Sequence, residues 1–449
     1  ERYKERNGGE WLKIMNKTRV SVITQGCKMN QYESELMIEM LENADYIVIP
    51  ESDVNADIYI INSCAVTGEA ERKVRQTIRH IRKENPDSKI ILTGCYTQIP
   101  RESSEYETLG VDLVLGNSEK KSIVKFLNEN GIYSKIDYWR EDDISYEMVK
   151  DSIAERSRAF IKVEDGCNNG CTYCVIRSLR GTRIRSKPIE VVIKEAEQLI
   201  TKKHKELVIT GLNLGKYGKD IGTNLAKLLN EVSKINGDFR IRLSSINPED
   251  LDDELINIIL ENDKICNHLH IPIQSGSTSV LKRMGRNYTA DYLLGLVEKL
   301  RAADPLFSIT TDIMVGFPGE SEQEFQETID LVSKLEFSKV HAFRFSERPG
   351  TRAAQMDRKV PGNVKKDRVE MLISHSQNVA NAYKRKLVGK TTTVLVEGVM
   401  NGIYIGYDEY YIPHETNGGI IGDFVKTVIL SVTAEGVVSK VAKKQVSND

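Results

Sequence analysis

Short apolar runs alternate with stretches of helical period through the first part of the chain. Residues 19–24, 57–62, 89–93 and 111–115 are compact runs rich in Val, Ile and Leu, and each predicts a strand. Between them, 31–43 and 69–83 place apolar residues every three or four positions, the spacing of a helix packed on one face. Alternation of this kind predicts an open α/β sheet with largely parallel strands over 17–137. The charged stretch 138–158 lacks a clear period and predicts a linker.

The rhythm then changes to six strand-then-helix repeats. Strands are predicted at 159–163, 206–210, 239–243, 268–273, 308–315 and 339–345, with amphipathic helices at 188–201, 225–235, 291–303 and 322–335. Six units cannot close an eight-stranded barrel, so 159–386 predicts a partial, open-sided (β/α)6 barrel. Three further runs, 391–397, 403–412 and 424–432, are separated by Gly398, Gly402, Gly418, Gly419 and Gly422. They predict a small β-barrel over 387–446, the architecture of many oligonucleotide-binding modules. The fold class is α/β, with an open parallel sheet, a partial barrel and a small β-barrel in that order.

Composition narrows the function classes. A chain of 449 residues exceeds one ordinary core, consistent with several domains. No apolar run approaches the roughly 18 residues of a membrane span, so no membrane partner is expected. Residues 1–16 are charged, lack the apolar centre of a signal peptide, and read as a leader or disordered segment, which makes the expected location cytoplasmic. The formal net charge of −2 means that any nucleic-acid surface must come from local clusters of Lys and Arg. Seven cysteines is an odd number, and in a chain read as cytosolic it favours metal ligation over disulfides.

Six of those cysteines form two sets. Cys167, Cys171 and Cys174 stand at CxxxCxxC spacing directly after the first strand of the partial barrel. Chemistry collects at the carboxyl ends of barrel strands. Three thiolates in one loop can hold three irons of a [4Fe–4S] cluster and leave the fourth iron open to a ligand. A zinc site would want four protein ligands, and no fourth cysteine lies nearby. The second set is Cys27, Cys64 and Cys95, each reached by a predicted strand of the first domain and each preceded by Gly or Ser. If those strands are parallel, the three thiols emerge at their carboxyl ends and converge. A second cluster with an open iron follows. A cysteine after a strand is often a buried small apolar residue, but three with this plan favour ligation. Cys266 stands alone and reads as structural, and none of the histidines has ligand-like spacing.

Cys167–Cys174, with Tyr173 before the third cysteine, resembles the signature of the radical S-adenosylmethionine superfamily. The resemblance implies that S-adenosylmethionine chelates the open iron, that one electron cleaves it to a 5′-deoxyadenosyl radical, and that Tyr173 flanks the adenine. It further implies cofactor contacts at the ends of later strands: Thr210, Gly211 and Asn213 after the second, Arg242 and Ser244 after the third, Gln274 after the fourth, and Gly316 and Phe317 after the fifth. Taken with the N-terminal cysteines and the C-terminal strands, the chain resembles the radical S-adenosylmethionine methylthiotransferase family. The matching motifs are Gly26-Cys27-Lys28-Met29-Asn30-Gln31-Tyr32-Glu33-Ser34-Glu35, Asn62-Ser63-Cys64-Ala65-Val66-Thr67, Gly94-Cys95-Tyr96-Thr97-Gln98, the stretch 166–185 and Ser346-Glu347-Arg348-Pro349-Gly350-Thr351. The tail resembles the TRAM domain, which in this family engages RNA. Gly26 to Glu35 is most similar to the branch that modifies N6-threonylcarbamoyladenosine at tRNA position 37, although Met29 and Ser63 depart from that branch's commoner Val and Thr.

Charge placement agrees with that substrate. Threonylcarbamoyl carries a carboxylate, which calls for Arg or Lys, whereas isopentenyl is apolar. Arg177, Arg180, Arg183, Arg185 and Lys187 follow the cysteine loop with no acid among them. Arg72, Arg75, Arg79 and Arg82 recur at helical spacing after Cys64, a face suited to RNA phosphates or simply to water.

The expected reaction uses two S-adenosylmethionine molecules. One methylates a sulfur on the auxiliary cluster, and radical chemistry from the other replaces the C2 hydrogen of the adenine, a position that acid–base side chains cannot activate. The base would come from the tRNA anticodon loop, where it can be splayed from its stack. An electron donor such as flavodoxin or ferredoxin is implied. The competing readings are methylthiolation of isopentenyladenosine tRNA or of a ribosomal-protein aspartate, and a zinc-containing RNA-binding protein without catalysis. Metal analysis of the anaerobically prepared protein separates the last of these: about eight irons per chain and little zinc are expected for two cubanes, whereas zinc without iron would remove the enzyme.

Overall fold

The computed structural model describes residues 18–53, 55–99, 103–128, 148–149 and 157–442. The expected leader at 1–16, nearly all of the linker at 138–158 and the end of the C-terminal module lie outside them. The chain divides into two compact units. One comprises Glu1–Lys150 with Val175–Thr182, and the other Asp151–Cys174 with Arg183–Asp449. The small β-barrel and the central barrel fall within one unit, while the segment after Cys174 belongs to the first.

In the first unit, β1 (Arg19–Thr24), β2 (Ile47–Ile49), β3 (Ile58–Ser63), β4 (Lys89–Gly94) and β5 (Leu113–Val114) form one sheet. Its order is β2-β1-β3-β4-β5 and every pair is parallel. Central β3 is buried at every position, as a strand covered on both faces must be. On one face Tyr59, Ile61, Ile90 and Leu92 pack with Val74, Ile78 and Ile81 of the Gly68–Glu84 helix. On the other, Ile58, Ile60 and Ile91 pack with Met37 and Leu41 of the Lys28–Asn43 helix. The Thr67 hydroxyl accepts the Ala70 N–H and so caps the start of the Gly68–Glu84 helix.

The second unit holds β6 (Arg158–Asp165), β7 (Arg185–Ser186), β8 (Glu206–Gly211), β9 (Arg240–Leu243), β10 (His268–His270), β11 (Ser308–Val315) and β12 (Lys339–Arg344). β6, β8 and β9 pair in parallel, as do β10, β11 and β12. Parallel bridges Ile241–Ile265 and Ser245–His270 join the two groups, so six parallel strands run as one wall. Short β7 pairs antiparallel with β6 at one edge, which leaves the barrel open as expected. The helices Ile189–Thr201, Leu225–Ser233, Asp253–Glu261, Ala290–Ala303 and Glu322–Leu335 complete one continuous apolar core with this wall. Ser321 and Glu324 make a reciprocal capping box at the start of the last of these.

β13 (Thr391–Met400), β14 (Ile403–Tyr407), β15 (Pro413–Thr416), β16 (Phe424–Val432) and β17 (Val437–Val441) close a barrel in the order β13-β14-β15-β17-β16. The 25-residue helix Gly362–Lys386 ties it to the large barrel. Near one end Arg368 donates to Glu320 at 2.7 Å. Near the other, Tyr383 joins Leu387, Ile412, Ile429 and Val437 in the small core, and the Lys384 amino group donates to the Thr433 and Ala434 carbonyls.

A buried charge cluster seals the same junction. Glu206, fully buried at the start of β8, accepts from Arg240 Nε at 2.6 Å and Arg242 Nε at 2.8 Å. The two guanidiniums also donate to the carbonyls of Thr393, Tyr407, Asp408 and Glu409 in the small barrel. Arg242 therefore faces this seam rather than the cofactor mouth expected from its place near a strand end. Burial alone would raise the Glu206 pKa, but Arg242 and Arg240 overcome it and hold the carboxyl far below the usual range. No helix among the described residues is long and apolar enough to cross a membrane.

Breaking a buried ion pair costs about 3–5 kcal/mol because the partner is left charged in a dry site. Glu206→Ala is expected to lose about that much in urea unfolding. Because the folded-state pKa is depressed, this contribution is complete well above the ordinary glutamate value near 4.5 and declines as pH falls below it. The wild-type chain should therefore lose more stability on acidification than Glu206→Ala does.

Candidate active site

Parallel register brings the first cysteine set together. Ser63 lies opposite Gly94 in the β3–β4 pair, so Cys64 and Cys95 leave adjacent strands side by side. Gly94, at φ +100°, makes room for this: a Cβ there would collide with the Ser63 backbone. Cys27 comes from the loop after β1, and a Cβ added to Gly26 would lie only 3.1 Å from the Cys64 Cβ. Asn30 fixes that loop, donating to Asn62 Oδ1 at 3.1 Å and to the Ser63 carbonyl at 3.0 Å, while its Oδ1 sits 3.3 Å from Cys27 Sγ. Asn62 answers by donating to the Asn30 carbonyl and to Ser34.

Cys64 and Cys95 are buried and Cys27 is exposed. Burial pushes the Cys64 thiol up to about 11, and the Cys95 and Cys27 sulfurs add to the rise. A donor set of three neighbouring thiols, one edge exposed, fits an iron–sulfur cluster. Among the described residues no three His, Cys, Asp or Glu side chains are gathered closely enough to hold a metal ion. A cubane is a larger body that keeps its cysteine ligands farther apart.

The second set occupies the loop after β6. Burial raises Cys167 to about 12, and Cys174, Cys171 and Glu164 reinforce the shift. The loop is clamped by backbone bonds from Thr172 N–H to the Met284 carbonyl and from Ala353 N–H to the Thr172 carbonyl. Arg352, just after the Ser346–Thr351 motif, donates to the Gly170 carbonyl. The two residues just after that motif thus hold the cysteine loop.

Around this loop several expected cofactor residues meet. The Tyr173 ring packs edge-on against Phe317 at 6.5 Å, and Phe317 packs in turn against Phe345. Phe317 is fully buried, as are Thr210, Asn213 and Ser244, while Gly211 and Gln274 are partly exposed. Gln274 adopts a left-handed backbone, φ +66°, and bonds through its main chain to β11. Gly316, at φ +73°, donates its N–H to Glu320 at 2.6 Å.

Other residues at this mouth escaped the sequence reading. Asn213 bonds with Asn168, Asn169 and Asn247. Arg286 donates to Asn247 Oδ1 at 2.8 Å and to the Tyr173 hydroxyl at 2.9 Å. Buried Glu164 accepts the Asn213 N–H at 2.7 Å through Oε2, and burial raises its pKa well above the usual range. Its Oε1, the Arg286 Nε and the Ser244 Oγ are buried without a hydrogen-bond partner among the described residues. Cysteine spacing flagged the loop, but Arg286 lies beyond a helix far along the chain and had no local signal.

The arginines divide. Arg177 is exposed and has no ion-pair partner among the described residues, and Arg183 is exposed. Arg180 is buried and bidentate on Glu33, and Arg185 is buried beside Asp165 at 3.5 Å. Lys187 is buried on Glu195 at 2.6 Å. Arg180 and Arg185 therefore do not present free charge to RNA: acids distant in sequence have neutralised a run that carried none itself. On the Gly68–Glu84 helix, Arg72 pairs with Glu69 and Arg75 with Glu71, Arg82 is bound to Asp112 and the Gly110 carbonyl, and Arg79 is left exposed.

Comparison with known proteins agrees with this geometry. The Radical SAM superfamily matches residues 161–332, and Uncharacterized protein family UPF0004 matches 19–116. A threonylcarbamoyladenosine tRNA methylthiotransferase of Thermotoga maritima is 51% identical over 421 residues, covering 94% of this chain and 96% of that protein. Its Bacillus subtilis counterpart is 38% identical, covering 92% and 93%. A tRNA-2-methylthio-N(6)-dimethylallyladenosine synthase of Carboxydothermus hydrogenoformans is 37% identical, covering 84% and 87%. Among solved structures, the radical S-adenosylmethionine methyltransferase TsrM of Kitasatospora setae superposes with a TM-score of 0.54 at 15% identity, covering 75% of this chain and 77% of that one, a likeness of fold alone. With such identity along nearly its whole length, the chain belongs to the family of radical SAM threonylcarbamoyladenosine tRNA methylthiotransferases.

Proposed function

We propose that this chain converts N6-threonylcarbamoyladenosine at position 37 of tRNA to its 2-methylthio derivative, with Cys167, Cys171 and Cys174 holding the radical cluster and Cys27, Cys64 and Cys95 the auxiliary one. What supports this reading is that parallel register brings Cys64 and Cys95 out side by side next to the Cys27 loop, while Cys167, Cys171 and Cys174 share the one loop after β6. When bound, the clusters supply the electron that breaks S-adenosylmethionine and the sulfur that is handed on.

The chain's own residues bind and orient. The methionine end of S-adenosylmethionine carries an amino group and a carboxylate, and the mouth offers unsatisfied groups of both kinds. Glu164 Oε1 suits the amino N–H and Arg286 Nε–H suits the carboxylate. Asn213 and Asn247 hold the two in one hydrogen-bonded chain. Ser244 Oγ is available to a ribose hydroxyl, and the Tyr173–Phe317 pair makes an apolar wall for adenine. Binding satisfies atoms that otherwise remain buried at a cost of about 1–3 kcal/mol each. Arg177 is the cation offered to the threonylcarbamoyl carboxylate, with Arg183 and Arg79 placed for phosphates. The C-terminal barrel serves as a TRAM-type RNA-binding module. An electron donor such as flavodoxin or ferredoxin completes the reaction in the cytoplasm.

The decisive experiment is anaerobic reconstitution and turnover on tRNA bearing the threonylcarbamoyl group, read by mass analysis of nucleosides. Cys27→Ala should lose about half of the iron expected for two cubanes, still cleave S-adenosylmethionine to 5′-deoxyadenosine, and make no methylthio product. Cys171→Ala should do neither. Undiminished product from Cys27→Ala would remove the auxiliary site.

Arg177→Ala should lower kcat/KM on this tRNA by about 10- to 100-fold, the worth of one hydrogen bond to a charged group. It should have little effect on isopentenyladenosine tRNA if that is turned over at all. Equal losses on both would assign Arg177 to phosphate instead.

A further inference from the structure

Three charged side chains lie buried against the first cysteine set, and the chemistry so far does not use them. Arg180 is 1% exposed, with its Nε 3.4 Å from Cys95 Sγ. Its Nη1 and Nη2 donate to the two carboxylate oxygens of Glu33 at 2.5 and 3.0 Å. The Lys120 amino group bonds the same carboxylate, and it too is buried. All three belong to the first compact unit, Arg180 through the returning segment Val175–Thr182.

An ion pair whose work was only to anchor the 175–182 segment would be served by the two Nη groups on Glu33. It would not need an Nε–H directed at a thiol. That contact makes sense if the Cys95 sulfur carries negative charge, as a thiolate ligand of iron does.

We propose that Arg180 is a positioning residue for the auxiliary cluster, donating its Nε–H to the Cys95 sulfur while Glu33 and Lys120 hold it there. The inference rests on the auxiliary site proposed above. Hydrogen bonds to ligand sulfur and nearby positive charge both favour the reduced, more negative form of a cluster. Arg180 also follows Cys174 by only six residues, so the loop that supplies the radical cluster's third thiol continues directly into a ligand contact of the auxiliary one.

The test isolates the auxiliary site by replacing Cys167, Cys171 and Cys174 with Ala in the full-length chain. The protein is then reconstituted anaerobically, and the iron is counted. Dithionite with mediators supplies single electrons to the cluster, no other bond changing, and EPR follows the midpoint potential. Arg180→Met should shift the midpoint to lower potential and alter the EPR line shape. Arg180→Lys returns the charge without the Nε–H, and should recover part of the shift. Iron-free Arg180→Met protein that keeps its circular dichroism would equally show that Arg180 holds the site. An unchanged midpoint and spectrum in the Met variant, or in the Lys variant if the Met variant does not fold, would overturn the proposal, as would failure of both to fold. No iron in the parent protein would instead remove the auxiliary cluster itself, and the proposal with it.

Discussion

Parallel strand pairing in register is the constraint on which the rest of this molecule depends. In a parallel sheet every strand delivers its outgoing loop at the same edge, so residues far apart in sequence meet without any contact between their own neighbours. Cys64 and Cys95 are brought side by side by the pairing of Ser63 with Gly94, and Cys27 arrives at the same edge from β1. The partial barrel repeats the principle: Glu164, Gly211 and Ser244 each stand at or just beyond the carboxyl end of a wall strand. Shifting one strand by a single residue would turn its end residue to the other face of the sheet. The hydrophobic cores on both faces of β3 are what prevent such a slip.

Where apolar packing ends, buried charge takes over. Glu206 with Arg240 and Arg242, Lys187 with Glu195, and Glu33 with Arg180 and Lys120 are all removed from water. Such groups contribute less to net stability than apolar residues of the same size would, but they tolerate few alternative arrangements. Each lies beside something that must be held in place: the attachment of the small barrel, the strand leaving the cysteine loop, and the thiol of Cys95.

Much of this was legible in the residues themselves. The apolar runs at 19–24, 89–93 and 308–315 became β1, β4 and β11 almost to the residue, because a strand covered on both faces cannot hide its Val and Ile. β2, β15 and β17 went unread: they have three, four and five residues, too few to show a period. The Gly362–Lys386 helix was also missed, since its buried stripe runs through Arg368, Ser376 and Lys384 as well as Leu372, Ala380 and Tyr383. The cysteines announced themselves by spacing. The destinations of arginine side chains did not, because whether Arg180 meets RNA or Glu33 is decided by an acid nearly one hundred and fifty positions away.

The Gly362–Lys386 helix sets a phase between the two barrels as well as a distance. It gains about 100° of rotation and 1.5 Å of length with every residue, and its grips lie near its two ends, at Arg368 on Glu320 and at Lys384 on the Thr433 carbonyl. Loss of one residue between them would leave the length nearly right and swing one grip about a quarter of the way around the axis. Insertions and deletions in this stretch are therefore governed by angle rather than by reach, and changes that restore close to a whole number of turns are the ones that keep both grips facing their partners.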